Sequence, residues 1–159
     1  MNERYIEAPM EYVPKPGDWS LFLAGGITDC PDWQRWMRHR LAQSGLVILN
    51  PRRADFPIDD PDAAPEQIRW EFKHLRLATA ISFWFCDRTL NPIVLYELGA
   101  WSMTDKPIFV AIDPDYERRA DVELQTKLAR PDVRIVYSLE ELALQIEQWF
   151  QQASKKNSD

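Results

Sequence analysis

Histidine and cysteine are scarce in this chain, two of each, and the scarcity removes whole classes of chemistry. His39, His74, Cys30 and Cys86 are too dispersed to form a cluster with metal-ligand spacing, so no metal site is expected. Neither cysteine belongs to a CxxC pair, and two thiols fit a reducing compartment. No apolar run approaches the ~20 residues that a membrane span requires. The opening Met1-Asn2-Glu3-Arg4 lacks the charged-then-apolar pattern of a signal peptide, which makes the cytoplasm the expected location. Positive charge is in deficit as well. Nineteen Lys and Arg against 25 Asp and Glu leave a net charge of -6, which argues against a surface built to neutralise phosphates along a nucleic acid. A small anionic ligand stays open, because a local pair of arginines can serve one phosphate. Glycine appears five times, and its one adjacent pair, Gly25-Gly26, sits in neither GxGxxG nor GxxxxGK[ST]. With GxSxG also missing, a dinucleotide fingerprint, a phosphate loop and a serine-hydrolase elbow are all excluded, and no cofactor is expected.

Aromatic residues, by contrast, are plentiful. Seven tryptophans cannot all enter the core of 159 residues, so some are expected at a pocket or a subunit interface. Residues 1–18, rich in Pro and charge, read as an extended N-terminal arm. Residues 19–152 read as one domain, and 153–159 as a disordered polar tail. Within the domain, Ser20–Ala24, Leu46–Leu49, Ala80–Cys86, Ile108–Ile112 and Val133–Tyr137 are apolar runs of strand length. Helical spacing fills the intervals between them. Trp33, Trp36, Met37 and Leu41 form one stripe, stopped by Gly45, and core or interface is the expected place for these tryptophans. Ile68, Phe72, Leu75 and Thr79 form a second, in a helix opened by Pro65 and Glu66. Ser138 and Glu141 make a capping box ahead of Leu139, Leu142, Ile146 and Phe150. Strand and helix alternate, which predicts an α/β fold with a doubly wound, parallel five-stranded sheet and helices on both faces.

In such sheets ligands bind at the carboxyl ends of the strands. The segments that fall there are Gly25–Asp29, Asn50–Arg53, Asp87–Asn91 and Asp113–Tyr116. Residues 54–65, dense in Asp and Pro, are either a pocket lid or a solvated connection. One carboxylate stands out. Asn91 can cap a helix that Pro92 opens, and Glu97 then lies in the second turn on one face with Val94, Leu98 and Trp101. Gly99, Ala100 and Ser102 offer that helix small residues for close packing on the sheet. A carboxylate in apolar surroundings must find a partner or hold a proton, so Glu97 is either a poised catalytic group or half of a structural ion pair with an arginine. Glu71, with His74 three residues on, has the same two readings, the second being an exposed acid on a charged helix face.

Taken together, Phe22-Leu23-Ala24-Gly25-Gly26, Leu49-Asn50-Pro51-Arg52, Trp70-Glu71, Tyr96-Glu97-Leu98-Gly99 and Lys106-Pro107 resemble the nucleoside 2-deoxyribosyltransferase family, in particular its bacterial branch of small domains. The resemblance implies a flavodoxin-like sheet, Glu97 as nucleophile and Glu71 as the acid that handles the nucleobase proton. It further implies substrate contacts from Gly25, Gly26, Asn50, Arg52, Arg53, Asp87, Arg88 and Asn91, with the arginines meeting the base or a 5′-phosphate. Two positions depart from the better-known members. Phe22 stands where they carry a tyrosine that holds the nucleophile, and Asn91 where they carry an aspartate. The expected activity is cleavage or exchange of a nucleoside N-glycosidic bond. Alternatives are hydrolysis of a nucleoside 5′-monophosphate and nucleotide sensing without turnover. Expected partners are a small-molecule substrate and further copies of the chain in a homodimer or higher homo-oligomer.

Overall fold

The computed structural model describes residues 4–156. Its strands are β1 (Tyr5–Glu7), β2 (Ser20–Gly25), β3 (Val47–Asn50), β4 (Ala80–Phe85) and β5 (Ile108–Ile112). All pair in parallel, in the order β1-β3-β2-β4-β5. The helices are α1 (Trp33–Arg40), α2 (Ala63–Leu77), α3 (Pro92–Ser102), α4 (Arg119–Ala129) and α5 (Leu139–Lys156). Because side chains alternate along a strand, Leu21 and Leu23 of β2 face Trp33 and Met37 of α1 and Leu142 and Ile146 of α5. Phe22 and Ala24 face the other way, onto Trp70 and Leu75 of α2 and Val94 and Leu98 of α3. Both faces of the central strands are thus covered, which is why β4 is buried along its whole length. The architecture is a doubly wound α/β sheet of the flavodoxin type.

The sheet has the expected number of strands with a different membership. Val133–Tyr137 does not form a strand, since it touches the sheet through Val136 alone, in a single bridge to Ala111. The segment is bounded by a turn at Pro131-Asp132 and by the Ser138 cap of the next helix. The fifth strand is β1, supplied by the N-terminal arm as an edge strand beside β3. Residues 1–3 of that arm lie outside the described residues, as do 157–159 of the tail, while α5 continues through 153–156.

One helix sits in a different rotational phase from the one expected, and another keeps its phase but packs fewer small residues. In α2 the buried residues are Ala63, Trp70, His74 and Leu75, whereas Ile68 and Phe72 are exposed. The stacked Trp70 and His74 rings, with centroids 3.9 Å apart, turn this face inward because the arm lies across them. Trp70 Nε1 donates to the Met10 carbonyl at 2.7 Å, and the Tyr12 N–H donates to His74 Nε2 at 3.1 Å. An accepting Nε2 places the ring proton on Nδ1, facing the Trp70 carbonyl at 2.7 Å. Burial holds the imidazole pKa below its ordinary value, in keeping with that neutral form. In α3, Gly99 and Ala100 are exposed rather than packed on the sheet, and only Ser102 of the three small residues is buried.

The end of α2 is secured from a distance. Lys106 Nζ donates to the carbonyls of Leu75, Arg76 and Ala78 at 2.7, 2.9 and 2.7 Å, and lies over the Trp101 ring. A cation at the negative end of a helix that also satisfies its last carbonyls acts as a tertiary cap. Lys106→Met keeps the aliphatic stem and leaves those carbonyls unpaired. It is expected to cost about 2 kcal/mol, read as a fall in Tm of roughly 5 °C by calorimetry.

Candidate active site

The connections of β2 and β4 leave on opposite faces of the sheet, so a crevice opens beyond their carboxyl ends. There lies a cavity of about 490 Å³, within the ~300–1,000 Å³ typical of small-molecule sites. Its walls come from the end of β2 and the loop after it (Gly25–Thr28), the loop after β3 (Pro51, Arg53, Phe56), the inner side of α2 (Gln67, Glu71) and the approach to and first turns of α3 (Thr89, Asn91–Val94, Glu97). Phe22 forms the floor. No tryptophan borders the cavity, whose aromatic surfaces are Phe22 and Phe56.

Glu97 reaches this space from the second turn of α3, flanked by the buried Val94 and Leu98. Among the described residues it has no hydrogen-bond or ion-pair partner. Phe22 has no hydroxyl to offer, and the one arginine in the lining, Arg53, gives its Nη1 to Glu66 Oε2 at 3.0 Å. Burial, and then the charge of nearby Glu71, push the Glu97 carboxyl up to about 8. Burial raises Glu71 as well, opposed by a hydrogen bond from Gln67. Two facing carboxyls that resist ionisation titrate as a pair, and this pair retains a proton at neutral pH.

Gly25 and Gly26 line the cavity because nothing larger fits. A Cβ on Gly25 would strike the Trp33 ring, and one on Gly26 would strike Asn91 Oδ1 and Cys30 Sγ. Asn91 adopts a left-handed conformation, φ 49°, at the N-cap of α3. Its side chain does not cap the helix. Instead Nδ2 donates to the Cys86 and Thr89 carbonyls at 3.1 and 2.9 Å, folding the loop that delivers α3. Cys30 and Cys86 are joined in a disulfide beneath these loops, which corrects the expectation of two free thiols. Residues 56 apart in sequence meet because β2 and β4 are neighbours in the sheet.

Gly25, Gly26, Arg53, Glu71, Asn91 and Glu97 are therefore brought to one cavity, and four other expected residues lie outside its lining. Asn50 is buried, donating from Nδ2 to the Tyr5 hydroxyl and accepting from the Arg52 N–H. The Arg52 guanidinium points toward α1, donating to the Cys30 and Pro31 carbonyls and to Gln34 Oε1. Asp87 and Arg88 are exposed and pair with each other at 3.5 Å. The structure adds Gln67, Thr89, Ile93 and Phe56. Of these, Gln67 had a sequence signal, since it precedes Glu71 by one helical turn and shares its face. Among the described residues no group of three or more His, Cys, Asp and Glu could hold a metal ion. None of the described helices is long and apolar enough to cross a membrane.

The Glu97 shift fixes a stability trend. Between its ordinary value of 4.5 and about 8, the folded state binds a proton that the unfolded state has released, so this group makes stability fall as pH rises through that window. Glu97→Gln removes the dependence. The variant is expected to match the parent in Tm at pH 5 and to exceed it at pH 8.5, and equal differences at both values would contradict the assignment.

No curated protein matches the chain. The family described as "nucleoside 2-deoxyribosyltransferase like" matches residues 18–116, a span that contains β2 through β5 and every residue of the cavity lining. Its members are related to enzymes that transfer or hydrolyse glycosyl groups of nucleosides. This chain belongs to the nucleoside 2-deoxyribosyltransferase-like family.

Proposed function

We propose that the protein cleaves the N-glycosidic bond of a nucleoside, with the sugar held as an ester on Glu97 and then passed to a second base or to water. The observation that carries this reading is the unpaired Glu97 carboxyl facing Glu71 across an apolar cavity. Loss of the base leaves positive charge on the sugar, and an ionised carboxylate at that point stabilises it far better than water does. In the first step a Glu97 oxygen bonds to the anomeric carbon as the C–N bond breaks. The bonding electrons leave with the base, which takes a proton from Glu71. In the second step the acceptor attacks the same carbon, the ester bond breaks, and Glu71 receives the acceptor's proton.

The retained proton suits this sequence. A cationic sugar favours ionised Glu97, and the proton of the pair then belongs to Glu71, where the departing base needs it. The charge of the walls favours a neutral nucleoside over its 5′-monophosphate, because two carboxyl groups face the cavity and Arg53 is already paired with Glu66. Gly25 and Gly26 allow the sugar to approach the backbone, with Phe22 and Phe56 as apolar surfaces for the base.

Incubation with deoxynucleosides plus a free base, followed by chromatography, tests the proposal. Base-swapped nucleoside identifies a transferase, and free base alone a hydrolase. Binding without product would identify a sensing module and end the catalytic reading. Glu71→Gln is expected to lower turnover by about 10²–10⁴-fold, least for bases that leave without a proton, and Glu97→Gln at least as far. Ile93 and Tyr96 are exposed on α3 beside the cavity, at 62% and 79%, which supports a homodimer or higher homo-oligomer. Light scattering is expected to give at least twice the chain mass.

A further inference from the structure

Among the described residues, Gln67 carries the one fully buried side-chain N or O atom that makes no hydrogen bond. Its Nε2 donates twice, to the Pro51 carbonyl at 2.6 Å and to Glu71 Oε1 at 2.8 Å. Its Oε1 is buried and makes no hydrogen bond. Turning the amide over would not relieve this. A backbone carbonyl can only accept, so the flipped oxygen would face the Pro51 oxygen with no hydrogen between them. The NH₂ group is therefore fixed toward Pro51, and its second hydrogen is directed to Glu71. A buried amide that leaves an acceptor bare in order to deliver both donors is costly, and such exceptions call for a reason.

We propose that Gln67 is a positioning residue for Glu71, holding Oε1 as an acceptor so that any proton on Glu71 resides on Oε2. This rests on the reading of Glu71 as the group that exchanges a proton with the base. Glu71 has two oxygens, and an acid that protonates a base must present the O–H along a defined direction. A carboxyl free to rotate would offer either oxygen. With Oε1 engaged by an N–H it is the poorer site for a proton, which leaves Oε2 to carry it. The same amide ties Glu71 to Pro51, the first residue of the loop that contributes Arg53 and Phe56 to the cavity. Displacement of that loop would remove the Pro51 acceptor that fixes the amide in this orientation, so the loop helps to hold the donor on Glu71. On the far side the loop is held by the Ala54 N–H donating to Glu7 Oε1 at 2.9 Å, a contact made by β1.

The test uses the unliganded full chain and requires no turnover, so it is independent of the catalytic proposal. Carbon-detected NMR titration of Glu71 and Glu97 is followed together with the Gln67 side-chain NH₂ resonances. In the parent, the NH₂ shifts are expected to follow the Glu71 titration curve. In Gln67→Met, which preserves length and removes both donors, the Glu71 titration is expected to move to higher pH. An NH₂ signal that stays flat while Glu71 titrates would overturn the proposal, as would a folded variant with an unmoved Glu71 curve. If Gln67→Met does not fold, the parent NH₂ measurement decides alone. On an active substrate, the variant is expected to lower kcat more than it raises KM and to shift the alkaline limb of the pH profile upward. A change confined to KM would mark Gln67 as a purely structural tie. Absence of turnover in the parent, with the titration coupling intact, would reject the catalytic proposal while leaving the Gln67–Glu71 coupling in place.

Discussion

A carboxyl group without a counter-ion, facing a second carboxyl in a cavity walled by phenylalanine, valine and isoleucine, is the constraint on which this structure turns. Desolvation opposes the charge on Glu97, Glu71 opposes it again, and no guanidinium relieves it. Nineteen basic residues leave ample opportunity for a neutralising pair, and each arginine near the site is committed elsewhere. Arg53 serves Glu66, Arg52 serves the turn before α1, and Arg88 serves its neighbour Asp87. A fold selected for stability alone would gain by pairing Glu97 or replacing it with leucine. That it remains bare is the strongest physical argument for chemistry at this position.

The periphery of the molecule makes sense as support for the two helices that carry the pair. Trp70 and His74 clamp α2 against the arm on either side of Glu71, and Lys106 closes the helix at its carboxyl end. At the start of α3, the turned-in Asn91 amide and the Cys30–Cys86 bond join the two loops that flank the crevice. Gly26 is pressed between them, with no room for a side chain. Glu97 is thereby placed by backbone geometry in the second turn of its helix, without any hydrogen bond to the carboxyl itself.

Much of this was legible in the residues. Short apolar runs alternating with 3.6-residue stripes define a parallel, two-faced sheet whatever the details, and β2, β3, β4 and β5 occur where the runs fall. Glu97 was legible because a charge interrupts an apolar helix. Other features lay beyond reach because they depend on tertiary partners. Val133–Tyr137 has the composition of a strand, but it meets the sheet in one bridge only, and a Pro-rich arm provides the edge strand. Composition alone points to the wrong phase of α2, because Ile68 and Phe72 are the more apolar choice. Trp70 and His74 are buried only because the arm supplies partners for their polar atoms. Arginine side chains are long enough to serve either direction, so neighbours in sequence, Arg52 and Arg53, went to different sides of the β3 loop. The disulfide follows from the adjacency of β2 and β4, which no spacing of cysteines reveals.

The most direct measurement is mass spectrometry of the protein after incubation with a 2-fluoro-2-deoxynucleoside, whose fluorine slows breakdown of a sugar ester. The account predicts release of the base with a stable mass increase of one fluorosugar, located by proteolysis on the peptide bearing Glu97 and absent in Glu97→Gln. A label on any other residue, or base release by the parent with no label while Glu97→Gln keeps full activity, would contradict it.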